Sequence, residues 1–390
     1  MSTDDRLDSW KEIAGYLKRG VWTAQRWEIV AGLPVRRVAT ERGVVYAFRS
    51  EIDRWWRRQP PERTHQEAAG NPLDVSAPIS ETLSPPSPLA PRSRMPVRTF
   101  LSQGIGVDPD LPRPHTNLAV YFFTLVAMGL IRPDEGMPAA RASAQRAIDL
   151  DPSTADAHAL VATVVGLYEC DWREAERLFA IALTRQSVSP TVRFHYATWF
   201  LSPLRRHADA ITQLRLGLIE DPLYLLARVQ IAMELYSLGR SGEGLAELEQ
   251  VLIIDSHFGP ALGFLGREHA LRRRFDEAMS LAERTFAVIP QHPNAVGFLA
   301  GMLRRTGNPS RSREILDTFE RECGWGVSRA NAESHIVCGE VDAAVERIKT
   351  TVAERDPGVW LLLAGSAGTL IRSTRDWPAL RKRLKLPDGA

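Results

Sequence analysis

Catalytic side chains need partners at set spacings, and this sequence offers few. It has no Gly-x4-Gly-Lys-Ser/Thr run to cradle a phosphate and no His-Glu-x-x-His pair to hold zinc. Gly104-Ile-Gly106 is followed by Pro109 rather than a third Gly opening a helix. Ala364-Gly-Ser-Ala-Gly368 lacks the first Gly of a nucleophile elbow. The nine His residues are scattered, and Cys170, Cys323 and Cys338 form no C-x-x-C. The expectation is therefore no enzymatic activity, no metal and no cofactor. The chemistry that remains is recognition. Gln can pair bidentately with adenine and Arg with guanine, and Gln25 and Arg26 are adjacent. Between Arg6 and Arg58 twelve basic residues face six acidic ones, whereas the whole chain carries only +2. A local positive field of this kind attracts a phosphate backbone by releasing its counterions.

The elements that must position these side chains can be read locally. Ser9-Trp-Lys-Glu12 is a capping box, and Trp10, Ile13, Ala14 and Leu17 follow at helical spacing. Arg19-Gly20 ends that helix. Thr23 caps a second one, with Ala24, Trp27 and Val30 on its buried side. Two β-rich runs, Val35 to Val38 and Val44 to Phe48, flank a basic tip and form a hairpin. Ser50 caps a third helix, Glu51 to Arg58, with Asp53 at its capping-box position. Trp27, Trp55 and Tyr46 read as core, and Trp22 stays open between packing and exposure.

Thr23-Ala-Gln-Arg-Trp27, then Gly32-Leu-Pro34, then Arg49-Ser-Glu-Ile-Asp-Arg-Trp55 resembles the excisionase-like, MerR-related winged helix-turn-helix module. The likeness covers about fifty residues in one order. It implies that the second helix enters the major groove and that the wing lies near the minor groove or backbone. By position it assigns groove contacts to Thr23, Gln25 and Arg26. Arg36, Arg37 and Arg42 fall to the wing and phosphates, with Lys18 and Arg19 alongside. It implies a transcription regulator of bacterial type that binds double-stranded DNA. A reader of half-site size gains useful affinity from a second copy, so a homodimer is consistent with this reading.

Beyond Gln59 the composition changes. Residues 60–114 are rich in Pro, Ser, Thr, Ala and Gly, as expected of a disordered, extended spacer. From His115 onward the chain is helical and repetitive. Ala140, Ala175, Ala210, Gly244 and Ala278 each precede a residue four later and another seven later that keep an apolar or small character. Ala210 to Gly244 to Ala278 is thirty-four residues twice. Pro152, Pro222 and Pro290 stop the second helices. Ala147-Ile-Asp-Leu-Asp-Pro152 and Leu235-Tyr-Ser-Leu-Gly-Arg240 resemble the wording of the tetratricopeptide repeat, two antiparallel helices in about 34 residues. The resemblance implies six to seven stacked units and a concave surface lined by the first helix of each pair. Registering each unit on its marker puts His195, Trp199, Met233, Tyr236, Arg267 and Arg304 on that surface, a mixture suited to capturing a protein or peptide. The basic Asp376–Pro387 segment is expected to be a capping helix.

The expected fold is mainly α: a small winged helix-turn-helix domain at 6–59, a linker at 60–114, and an α-solenoid of helix pairs at 115–390. No apolar run nears the ~20 residues that span a bilayer, and the N-terminus is polar and acidic. Widely separated cysteines fit a reducing compartment. A cytoplasmic protein with no membrane partner is the expectation. Two functions fit. One is a DNA-binding regulator whose array binds a partner or a second copy. The other is a non-catalytic adaptor whose winged module docks protein instead of DNA, with Glu28 and Glu41 within the reading surface in its favour. Operator, partner and the sign of regulation are not written in the sequence.

Overall fold

The structure is a computed structural model, and it describes residues 5–18, 24, 27–28, 32–37, 45–58, 108–184 and 188–388. It divides into two compact units, Met1–Gln103 and Gly104–Ala390.

In the first unit β1 (Arg6–Leu7) precedes α1 (Trp10–Tyr16), and β2 (Arg36–Arg37) and β3 (Val45–Phe48) precede α2 (Arg49–Arg58). The strands form an antiparallel sheet in the order β1-β3-β2, with Arg36 opposite Tyr46 and Arg6 opposite Phe48. β1 is an addition that the sequence reading missed, because two residues carry no period. Ser9 Oγ accepts from Glu12 N at 3.2 Å, and the Glu12 carboxylate reaches back to Asp8 N at 3.0 Å. The predicted capping box is present, shifted by one donor. Helix α1 stops at Tyr16, short of Arg19-Gly20, with Lys18 in the left-handed region at φ 53°. Ser50 does not cap α2 with its own side chain. Asp5 does so from a distance, accepting from Ser50 N at 3.1 Å and Ser50 Oγ at 2.7 Å, while Asp53 accepts from the Tyr16 hydroxyl at 2.9 Å. Ala24, Trp27 and Glu28 have helical backbone, and Trp27 is fully buried against Trp55 and Trp56. Trp55 and Tyr46 are only half-buried. Val30, Trp22 and the hairpin tip lie outside the described residues.

The second unit is built of helix pairs. Inner helices are α3 (Pro112–Ala127), α5 (Ala155–Val164), α7 (Pro190–Tyr196), α9 (Leu225–Ser237), α11 (Gly259–Leu271), α13 (Pro293–Arg305) and α15 (Val327–Cys338). Their partners are α4 (Pro133–Leu150), α6 (Trp172–Leu183), α8 (His207–Glu220), α10 (Ser241–Ile254), α12 (Phe275–Val288), α14 (Pro309–Cys323) and α16 (Val341–Ala353). From α5 onward successive inner helices start 34 or 35 residues apart. The 35-residue units are those in which the inner helix ends in a π turn, Val165–Glu169 and Ala197–Leu201. A π turn takes up one extra residue without breaking the helix. The array begins at Pro112, three residues before His115, because Pro is well placed in a first helical turn, where its missing N–H is not needed.

The marker positions behave as their size predicts. Ala140, Ala175, Ala210 and Ala278 are fully buried. At Gly244 a Cβ would stand 2.8 Å from the Tyr236 ring, so this pair needs glycine. Each pair thus presses its own helices together, and neighbouring pairs bury the rest.

The first and last pairs also meet. Arg329 on α15 has no exposed surface and donates to the Ala127 carbonyl, at the C-terminus of α3, at 3.1 Å. Its guanidinium pairs with Asp356 at 3.4 Å. Burial pulls the Arg329 pKa below its ordinary value, and Asp356 opposes that shift. Removing one member of a buried pair leaves the other charge uncompensated, at about 3–5 kcal/mol. Arg329→Ala is therefore expected to destabilise the array by about that amount, read as a lowered midpoint in calorimetric or urea unfolding. An unchanged midpoint would show that the closure contributes nothing.

Candidate functional site

The sequence points to the inner face of the array, and the structure shows that face already covered. After α16 the chain runs through α17 (Val359–Leu362), α18 (Gly365–Arg372) and α19 (Trp377–Arg383). This tail crosses the C-terminal ends of the inner helices. Trp360 packs edge-on against Trp172, with ring centroids 5.7 Å apart, and the Trp172 indole N–H donates to the Leu384 carbonyl at 2.9 Å. Leu380, Leu384 and Leu386 are buried. The expected terminal cap is thus a cross-array segment, because its apolar residues find cover on the second pair as well as on the last.

Five of the six predicted partner-binding residues are buried. Trp199 and Met233 line a small cavity together with Trp360, Leu361 and Ala364 of the tail. Arg267 donates to the Leu361 and Ala364 carbonyls at 2.8 and 3.3 Å and pairs with Glu333 at 3.3 Å. Tyr236 stacks edge-on with Phe264, under the Arg272 guanidinium, and burial pushes its pKa up to about 12. His195 faces Phe123 of the first pair and bonds Thr163 at 3.0 Å. The Thr163 proton goes to the Ala159 carbonyl, so His195 Nδ1 carries its own. The sixth residue, Arg304, lies half-buried and pairs with Glu340. The marker register identified inward-facing positions, but the face they line is not open.

Sequence reasoning missed the tail's own partners. Glu268, fully buried, accepts from Ser366 N at 3.0 Å and Ser366 Oγ at 2.7 Å. Ser237 Oγ accepts from Gly365 N at 3.0 Å. The signal in the sequence was the buried-position register that puts Glu268 beside Arg267, an acid where an apolar residue would be ordinary.

In the head, Arg36 is exposed and pairs with Glu51 at 2.7 Å, its guanidinium 5.4 Å from the Phe48 ring. Arg6 lies 4.3 Å above Tyr46. Arg37 pairs in the sheet through its backbone opposite Val45. Lys18 is exposed after α1. Arg19, Thr23, Gln25, Arg26 and Arg42 lie outside the described residues. Among the described residues no group of three His, Cys, Asp or Glu side chains could hold a metal ion, and no helix is long and apolar enough to cross a membrane.

No family model matches the chain, and no curated protein does. Among solved structures it is similar to PilW, a type IV pilus biogenesis factor, at 19% identity and a TM-score of 0.42, over 54% of this chain and 93% of that one. YrrB, described as a tetratricopeptide protein with an unusual peptide-binding site, is 21% identical over 50% of this chain and 95% of its own, with a TM-score of 0.32. A tetratricopeptide repeat protein from Parabacteroides merdae is 13% identical over 70% of this chain and 98% of its own, with a TM-score of 0.41. At this depth of likeness the repeat architecture rests on the chain's own spacing and helix pairing.

Two histidines, His195 buried and His292 half-buried, set a pH dependence. Burial pulls His195 down to about 4 and His292 down to about 3, against an ordinary 6.5. Unfolding frees both to protonate, so the stability present above pH 6.5 is lost as pH falls toward 4. Each contributes a slope of up to about 1.4 kcal/mol per pH unit in that window. Urea midpoints should fall steeply there, and His195→Gln should flatten the curve. A midpoint independent of pH would contradict the burial.

Proposed function

We propose that this chain is a non-catalytic adaptor: a tetratricopeptide-type array that holds polypeptide, joined to a small head that docks a protein surface. The inner face supports the first half, since Arg267, Ser237 and Glu268 bind main-chain groups of a crossing segment. The pairing of Arg36 with Glu51 supports the second, because an arginine already neutralised within the head offers less to a phosphate. So does the sheet face that presents Tyr46 and Phe48 beneath Arg6 and Arg36.

A second reading has its own support in the surplus of six positive charges between Arg6 and Arg58 and in the order of helix, helical segment, paired strands and helix. In that reading the head is a winged helix-turn-helix that binds duplex DNA, and the chain is a transcription regulator. Thr23, Gln25 and Arg26 would then face bases, with Lys18, Arg19, Arg36, Arg37 and Arg42 near phosphates.

Titration of the full chain with several duplex DNAs at several salt concentrations separates the two. The adaptor reading expects weak binding, no sequence preference, and a defined protein partner retained after nuclease treatment. The regulator reading expects a steep salt slope. Arg42→Ala would reduce that slope by about one and weaken all sequences alike, whereas Arg26→Ala would change base preference. Tight, sequence-selective, salt-dependent binding would overturn the adaptor reading of the head.

A further inference from the structure

Between Leu361 and Ser366 the polar contacts of the tail with the inner face are made mostly by its backbone. Arg267 reaches two carbonyls, Leu361 and Ala364, at 2.8 and 3.3 Å. Ser237 Oγ, whose own proton goes to the Met233 carbonyl, accepts from Gly365 N. The Glu268 carboxylate takes the next amide, Ser366 N, with one oxygen and the Ser366 hydroxyl with the other. Four main-chain groups and one hydroxyl between Leu361 and Ser366 are thus read by three side chains on two inner helices, α9 and α11.

The site also reads size. Gly365 sits at φ +65°, and a Cβ there would stand 2.7 Å from both the Glu268 carboxylate and the Phe264 ring. A side chain would therefore be strained as well as crowded. Ser366 is the residue whose hydroxyl the carboxylate takes. The recognised feature is an apolar stretch turning through Gly-Ser. Arg272 donates to the same Glu268 carboxylate and holds it in place beneath the segment.

The seam between tail and array leaves polar atoms unpaired. Thr198 Oγ1, Trp360 Nε1 and Arg372 Nε are buried with no hydrogen-bond partner among the described residues, and their three residues line the same small cavity. Leu370 on α18 is 42% exposed. Buried unpartnered donors and acceptors lower the free energy needed to separate two surfaces, since water satisfies them on opening.

We propose that the Ser237–Arg267–Glu268 face is a peptide-binding site for a partner segment with an apolar-Gly-Ser turn, occupied in cis by residues 361–366 until such a segment displaces them. This rests on the array half of the adaptor reading and does not involve the head, so the DNA titration above leaves it untouched.

The test uses the full chain and a fluorescent synthetic peptide spanning residues 357–372 as the probe. Gly365→Ala loosens the cis segment by strain and crowding, while Ser366→Ala removes a single hydroxyl bond and serves if the first variant fails to fold. In either variant the amides of residues 359–372 should exchange faster while the helix pairs keep their protection. Peptide anisotropy should then report binding about ten-fold tighter than to the wild-type chain, the scale of one hydrogen bond to a charged group. A peptide carrying Val at both the Gly365 and Ser366 positions should lose that gain. The proposal is overturned if tail and helix pairs lose protection together, or if the peptide binds the variants no better than the wild type. It is also overturned if the variants double in mass by light scattering, which would assign the site to exchange of tails between two copies.

Discussion

A single guanidinium with no contact to solvent joins three parts of the array that are far apart in the chain. Arg329 reaches the carbonyl end of α3, pairs with Asp356, and sits on the inner helix of the seventh pair. The end of a helix carries partial negative charge, so a cation there satisfies both the carbonyl and the dipole. Asp356 in turn accepts from Gly358 N at 2.8 Å, just where the tail leaves the last pair. A buried ion pair is weak evidence for net stability, yet it tolerates little misplacement. Its geometry closes the array on itself and launches the tail across the inner face.

Once the array is closed, its inner helices present a surface that must be covered. Their C-terminal ends carry Trp199, Met233, Phe264 and Arg267, which are costly to leave in water or to bury unpaired. The tail provides cover for the apolar groups and carbonyls for the arginine. The result differs from an open peptide groove in one physical respect: a ligand for this face competes with a segment already in place. Its apparent affinity is then set by the difference between two occupants.

The head follows a different logic. It is too small to build a core from aliphatic residues alone, and it closes around Trp27, with Trp55 and Trp56 at ring-centroid distances of 5.7 and 5.3 Å. Asp5 ties the chain's start to α2 by capping Ser50, and β1 adds a strand to the hairpin. The charges that gave the head its surplus are in part taken up locally, as Arg36 is by Glu51.

Much of the array was legible because its signals are local and recur. A small residue every 34 or 35 positions marks where two helices touch, and Pro or Gly marks where they end; each repeat contains both. The same register picked out the inward positions from His195 to Arg267, and Ser9 announced its helix. Ser50 misled, because its cap comes from Asp5, forty-five residues away. The tail read as an outer cap for the same reason: amphipathic spacing says that Leu380 and Leu384 need cover without saying which surface supplies it. By itself, then, the sequence determined the helix pairs, their period and which side chains turn inward, since these follow from contacts within one unit. Closure of the array through Arg329 and occupation of its inner face by residues 361–366 were decided only in the tertiary structure, because both depend on contacts between residues some ninety to two hundred positions apart that leave no periodic trace.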